Sequence, residues 1–266
     1  MYLTEEVENV VNIYKFIKNI IFPPRCVFCD RIMEPNSRVM ICGSCAGKPK
    51  LCSGRPCCEK CGKPLVSFGE KQLCYFCLNT RTKYFDRIVS VFEYEGAVQR
   101  SVVRYKTMHI VKYAGVYAEF MAARFFEEYS DIDFDFMCSV PPHDKRRRND
   151  EPDQVEAICR KLSGVIGLKY IPDVLVKTRK TDKQSYLNYR DRQNNMKNSI
   201  KAADSSVCAG KTVLLTDDVC TTRATVTECA RALKAAGAKR VYALTLATTM
   251  KEECAEEYTE NAAAIR

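Results

Sequence analysis

Long apolar runs are missing from this chain of 266 residues. Its longest apolar stretch, near Ile20 and Ile21, is interrupted by Lys15 and Lys18, whereas a membrane-spanning helix needs about 20 consecutive apolar residues. The reading is therefore of a protein with no membrane span. A basic leader is missing too, because the chain opens on Glu5, Glu6 and Glu8, and a secretory signal opens on positive charge. Both absences lead to the expectation of a cytoplasmic protein. The composition also lacks the polar excess of a disordered chain: 46% of residues are hydrophobic and 28% charged, the balance of a globular protein with a sizeable core.

Cysteine is abundant, at sixteen residues. In a short exported chain that number reads as a disulfide scaffold, but without length limits or export signal metal binding is the better reading. Ten of the sixteen fall between Cys26 and Cys77. Cys26 and Cys29, Cys42 and Cys45, Cys58 and Cys61, and Cys74 and Cys77 form four C-x2-C pairs with twelve residues in every gap, an internal repeat. One such turn presents two sulfurs, and tetrahedral zinc takes four, so two turns close one site and the four make a double zinc ribbon with two structural zinc ions. Sequential pairing is preferred, although even spacing equally permits first with third and second with fourth. Cys52 and Cys57 read as spare thiols, with Cys57 able to replace its neighbour Cys58. Cys138, Cys159, Cys208, Cys220, Cys229 and Cys254 read as small core or surface residues, and Cys220 is the one to test for reactivity.

The formal charge is +9. Two sites of four thiolates and one zinc lower it by about 4, which leaves a modest basic excess. The ribbon carries Arg25, Arg31, Arg38, Lys48, Lys50, Arg55, Lys60 and Lys63. Structural support is its plain role, and nucleic-acid or partner binding the sharper alternative.

Periodicity divides the chain into a helix within residues 1–21, the ribbon at 22–83, a larger domain at 84–250 and a tail at 251–266. Val7, Val10, Val11, Tyr14 and Ile17 recur at helical spacing, which predicts an amphipathic helix over residues 4–20 that stops before Pro23 and Pro24. Beyond Tyr84 strand and helix signals alternate. Strands are expected at 87–94, 136–140, 174–177, 213–215 and 241–247, and helices at 97–129 with a break near Met108, at 153–166 and at 222–236. That alternation predicts an α/β fold with a mostly parallel sheet flanked by helices. Residues 177–200 form a long polar segment read as a lid.

Residues 214–225 read Leu-Leu-Thr-Asp-Asp-Val-Cys-Thr-Thr-Arg-Ala-Thr. An apolar strand runs into two carboxylates, then into a loop of small hydroxyl residues that opens a helix, where backbone N–H groups and the helix dipole favour a phosphate. Asp217 and Asp218 suit ribose hydroxyls or Mg²⁺, and Thr221, Thr222 and Thr225 suit a phosphate. A cationic run at Lys145, Arg146, Arg147 and Arg148 suits pyrophosphate, and Lys106 is a candidate phosphate contact. The bland alternatives are an N-capped helix, a solvated basic loop and a surface lysine.

The string at 214–225 resembles the phosphoribosyl pyrophosphate (PRPP) signature of type I phosphoribosyltransferases. Together with Pro23-Pro24-Arg25-Cys26, Tyr105-Lys106, Val140-Pro141, Arg146, Gln154, and the set Thr181, Gln184, Leu187, Arg192 and Asn195, it resembles the ComF family, which joins a double zinc ribbon to such a domain. The resemblance implies Asp217 and Asp218 at the catalytic centre and PRPP with Mg²⁺ as ligand. It implies phosphate contacts from Thr221, Thr222, Arg223, Ala224, Thr225, Lys106 and Arg146, with Arg192 on the lid. It also implies a link to DNA uptake, with single-stranded DNA and a competence helicase as partners. Two positions depart from the pattern: Arg223 stands where the family has Gly, and Asp150-Glu151-Pro152 stand where it tends to have Arg-Gly-Phe. If position 223 is left-handed, a non-Gly residue is strained there, and its side chain either clamps the phosphate or fills the pocket. Both changes weigh against turnover, so a catalytically impaired binding module is the second reading. Metal analysis of the purified chain is expected to find about two zinc ions per molecule, and a value near zero would contradict the four-thiol assignment.

Overall fold

The computed structural model describes residues 21–35, 37, 39–65, 72–74, 77–78, 84–108, 110, 112–142, 153–179 and 195–249. The predicted helix at 4–20, the tail at 251–266, Arg146, Asp150-Glu151-Pro152, Arg192 and most of the predicted lid lie outside them.

The larger domain runs β1 (Arg87–Glu93), α1 (Gly96–Met108), α2 (Tyr113–Tyr129), β2 (Phe136–Ser139), α3 (Gln154–Ile166), β3 (Leu175–Lys177), β4 (Ile200–Ala202), β5 (Thr212–Cys220), α4 (Ala224–Ala235) and β6 (Arg240–Thr248). Four strands form a parallel sheet in the order β1-β6-β5-β2. The two middle strands are buried over most of their length, because helices cover both faces of the sheet, and this explains their nearly continuous apolar sequence. The strands β3 and β4 form a separate antiparallel pair. Beside it the two ends of the polar segment at 177–200 meet, where Thr178 N donates to Ser199 O at 2.8 Å and an Arg179 Nη donates to Asn195 O at 2.8 Å.

Local chemistry sets the element ends. The Asp153 carboxylate accepts from Val155 N at 3.2 Å and caps α3, and Gly167 ends it at φ 70° with its N–H on Ser163 O. The expected strand at 213–215 is the first part of a longer one: β5 runs from Thr212 to Cys220, because Asp217, Val219 and Cys220 continue the ladder with β6 opposite Thr245, Ala247 and Thr248. The carboxylates therefore stand in the last turns of a strand. No helix among the described residues is long and apolar enough to cross a membrane.

Two cores lie on opposite faces of the sheet. The first gathers α1, α2 and α3, and the first half of the ribbon joins it through Cys26, Val27, Phe28, Cys42 and Cys45. Phe28 meets Phe92 edge-on at 5.9 Å between ring centroids, Tyr113 Oη donates to Asp30 at 3.0 Å, and an Arg104 Nη donates to Val27 O at 2.9 Å. The second gathers α4 and the β3–β4 pair, and the second half of the ribbon joins it through Cys58, Cys61, Cys74 and Cys77. Between the halves, residues 50–52 pair antiparallel with the outer edge of β1: Cys52 N donates to Val91 O at 2.8 Å and Glu93 N to Lys50 O at 2.9 Å. The ribbon thus wraps the sheet edge, as expected for a segment unable to build its own core.

The internal repeat is visible in the backbone. Asp30 N bonds Cys26 O at 2.9 Å and Gly62 N bonds Cys58 O at 2.8 Å, with φ at 64° in both Asp30 and Gly62. Gly62 also lies so close to β1 that a Cβ there would stand 2.5 Å from Ile88 O. Gly62→Ala is expected to destabilise the zinc-loaded protein by roughly 1–3 kcal/mol through strain and backbone clash. Gly43→Ala, where a Cβ meets nothing within 4 Å, should change little. Thermal unfolding of both variants checks the contrast, and equal melting temperatures would contradict it.

Candidate functional site

Two groups of four thiols have formed, Cys26 with Cys29, Cys42 and Cys45, and Cys58 with Cys61, Cys74 and Cys77, each with its sulfurs within 4.8 Å of one another. This is the sequential pairing. Four sulfurs around one zinc at about 2.3 Å stand about 3.8 Å apart, and Cys29 to Cys42 is 3.6 Å while Cys61 to Cys74 is 3.5 Å. Such spacing is far beyond a disulfide bond, so the thiols fit one zinc ion in each group. Cys57 is in neither group, and its thiol donates to Cys52 O at 3.5 Å, which leaves the ligand position to Cys58.

At the carboxyl end of β5 the parallel strands deliver Asp217 and Asp218, both buried. Successive residues of a strand point to opposite faces, but here each carboxylate is held by the next peptide: Asp218 N donates to Asp217 Oδ1 at 2.8 Å and Val219 N donates to Asp218 Oδ1 at 2.6 Å. From α1, Lys106 Nζ reaches Asp218 Oδ2 at 2.8 Å. Burial works against the charge on Lys106, yet Asp218 outweighs it and holds the ammonium above its ordinary pKa. Burial pushes Asp217 up to about 8, and the adjacent Asp218 adds to that rise. Two further groups act on the same carboxylates. Asp153, at the cap of α3, is raised by burial and by Asp218, and burial lowers Lys177, opposed in part by Asp217 and Asp153. The sequence marked Asp153 as a helix start and Lys177 as part of a polar segment, but neither as site residues. Their convergence comes from the sheet order, which sets the carboxyl ends of non-adjacent segments together.

Beyond the carboxylates, Thr221 is part-exposed, Thr222 is buried and its Oγ1 accepts from Ala224 N at 3.5 Å, and Thr225 is part-exposed on the first turn of α4. Intrahelical bonding starts at Thr227 N to Arg223 O, 2.8 Å. The residues ahead of it form the helix N-terminus expected from the sequence. Arg223 holds φ 64° and ψ 0°, a left-handed conformation that costs a non-Gly residue about 1–2 kcal/mol. The resemblance places it among the phosphate contacts. The guanidinium is buried and lies with Nη1 3.7 Å from Cys61 Sγ, because the second thiol group packs directly under the loop. Lys106, expected as a phosphate contact, pairs with Asp218 in this structure. Arg104 belongs to the ribbon interface. Cys220 is buried and its thiol is pushed up to about 12 by burial, with Arg223 opposing, so it lacks the thiolate that reactivity requires.

The raised Asp217 fixes a pH dependence. Between its unfolded value near 3.8 and about 8, the folded protein holds a proton that the unfolded chain has lost, so this carboxyl contributes less to stability as pH rises through that window. Asp217→Asn, free of that ionisation, is expected to raise the melting temperature of the ligand-free protein by roughly 4 °C or more at pH 8, with little gain at pH 4. An equal shift at both values would contradict the assignment.

Comparison with known proteins assigns both halves. The double zinc ribbon domain matches residues 17–78, and the phosphoribosyl transferase domain matches residues 155–261. Competence protein F of Haemophilus influenzae is 24% identical over 221 residues, covering 82% of this chain and 93% of that protein. DNA utilization protein YhgH of Escherichia coli K12 is 30% identical over 116 residues, covering 44% of this chain and half of YhgH. Among solved structures, glutamine PRPP amidotransferase from B. subtilis overlaps 51% of this chain and 26% of its own at 18% identity and TM-score 0.34. A hypoxanthine phosphoribosyltransferase from Staphylococcus aureus overlaps 53% and 69% at 12% identity and TM-score 0.34. The chain thus joins a double zinc ribbon domain to a phosphoribosyl transferase domain, and it is similar to Competence protein F across most of its length.

Proposed function

We propose that this protein binds a phosphoribosyl ligand of the PRPP class, with Mg²⁺, where β5 meets α4, and that it serves DNA uptake. The observation that carries the reading is the side-by-side pair Asp217 and Asp218, buried at a strand end directly before a helix N-terminus, with Lys106 on Asp218 at 2.8 Å. A buried pair of acids is unfavourable unless a cation or hydroxyl donors face it. A sugar phosphate supplies ribose hydroxyls for the carboxylates and a phosphate for the helix start.

In this reading Asp217 and Asp218 hold the ribose hydroxyls and offer oxygens to Mg²⁺, which supplies positive charge against the pyrophosphate. Thr221, Thr222 and Thr225, with the backbone at Arg223 and Ala224, take the 5′-phosphate. Lys106 exchanges its carboxylate partner for the pyrophosphate, and Arg146 and Arg192, outside the described residues, are taken as further cationic contacts. Turnover in a type I transferase joins a nitrogen nucleophile to the anomeric carbon as the bond to pyrophosphate breaks, with water excluded by the lid. Linkage to DNA uptake rests on the relatives named for competence and DNA utilization.

One observation favours a second reading, that of a module which binds without turnover. The strained Arg223 backbone fixes the loop, and its side chain is committed to the ribbon. In that case the cationic ribbon meets single-stranded DNA or a helicase partner.

Calorimetric titration with PRPP and Mg²⁺ tests the first reading. Binding heat is expected in the native protein, with affinity rising from pH 6 to pH 8 and proton release on binding, because the ligand favours ionised Asp217. Asp218→Asn is expected to weaken binding by about tenfold or more. Absence of binding heat throughout that pH range would overturn the reading. Salt-dependent binding of single-stranded DNA without PRPP binding would favour the second.

A further inference from the structure

Arg223 is engaged at both ends. Its carbonyl accepts the first intrahelical bond of α4 from Thr227 N at 2.8 Å, and its guanidinium Nη1 lies 3.7 Å from Cys61 Sγ. Both Arg223 and Cys61 are buried, at 6% and 1% exposure. Four thiolates around one zinc ion carry a net charge of about −2. Such a unit inside a dry core is stabilised by a cation that also donates hydrogen bonds to sulfur. The strained φ of 64° at Arg223 is what directs this side chain down to the thiols while its backbone starts the helix.

We propose that Arg223 is a positioning residue that ties the β5–α4 loop to the second zinc centre. The guanidinium balances the zinc–thiolate unit, and that unit in turn holds the loop in its left-handed, helix-initiating shape. The ribbon is then part of the loop's architecture, and zinc occupancy at Cys58, Cys61, Cys74 and Cys77 determines how well the loop is formed. The consequence for ligand affinity rests on the phosphoribosyl reading, whereas the tether stands without it.

The test uses the full chain loaded with zinc and challenged with an excess of a chromophoric chelator, so that release of both ions is timed. Arg223→Met, which keeps length and strain but loses charge, is expected to release one of its two ions about 10–100-fold faster, with the other unchanged. Arg223→Lys should restore much of the slow rate. Arg223→Gly, which relieves the strain but also loses the charge, should release as fast as the Met variant, which separates charge from backbone strain. Hydrogen exchange should quicken at residues 221–226 in the Met variant and return towards native in the Lys variant. If the Met variant does not fold, the Lys and Gly variants decide by the same contrast. Release as slow as native in both charge-free variants would overturn the tether. Altered zinc release with no PRPP binding in any of the proteins would overturn the phosphoribosyl reading alone.

Discussion

The backbone pairing between residues 50–52 and the outer edge of β1 is the contact on which the arrangement turns. An open strand edge is exposed to pairing with other chains. Here the edge is closed by a segment that has little core of its own, and that segment carries a group of thiols to each face of the sheet. Folding of the ribbon and completion of the two cores are therefore one process. The opposite edge is treated similarly, since residues 169–171 bond to β2 around Met137.

The candidate site inherits this construction. Its carboxylates come from the second-last strand, its lysine from the first helix, and Asp153 from the cap of another. Burial raises Asp217 and Asp153, whereas the ion pair with Asp218 raises Lys106 against its burial. The strained Arg223 is a local conflict of the kind found where structure serves a ligand rather than stability alone. That conflict persists because packing from the second thiol group surrounds its side chain.

Polar detail distinguishes the two halves of the ribbon. The first is fixed by hydrogen bonds to two helices, from Tyr113 of α2 to Asp30 and from Arg104 of α1 to Val27. The second lies close against β1 at Gly62 and beneath the loop that precedes α4. The same repeated turn thus has two functions, anchorage on one face and contact with the site on the other.

The sequence by itself determined the four thiol turns, the alternation of strands and helices, the break near Met108, the helix start near Asp153, and the carboxylates and hydroxyl loop before α4. Each rests on a pattern within a few residues of itself, where periodicity, capping and ligand spacing act. It also marked Arg223 as the anomalous position, but not the direction of its side chain. Only the tertiary structure decided the sequential pairing of the thiols, the choice of Cys58 over Cys57, the burial of Cys220, the salt bridge from Lys106 to Asp218, and the contact of Arg223 with Cys61. Those outcomes join residues as far as 162 positions apart. Strand order and core packing set such distances, and neither is written in local spacing.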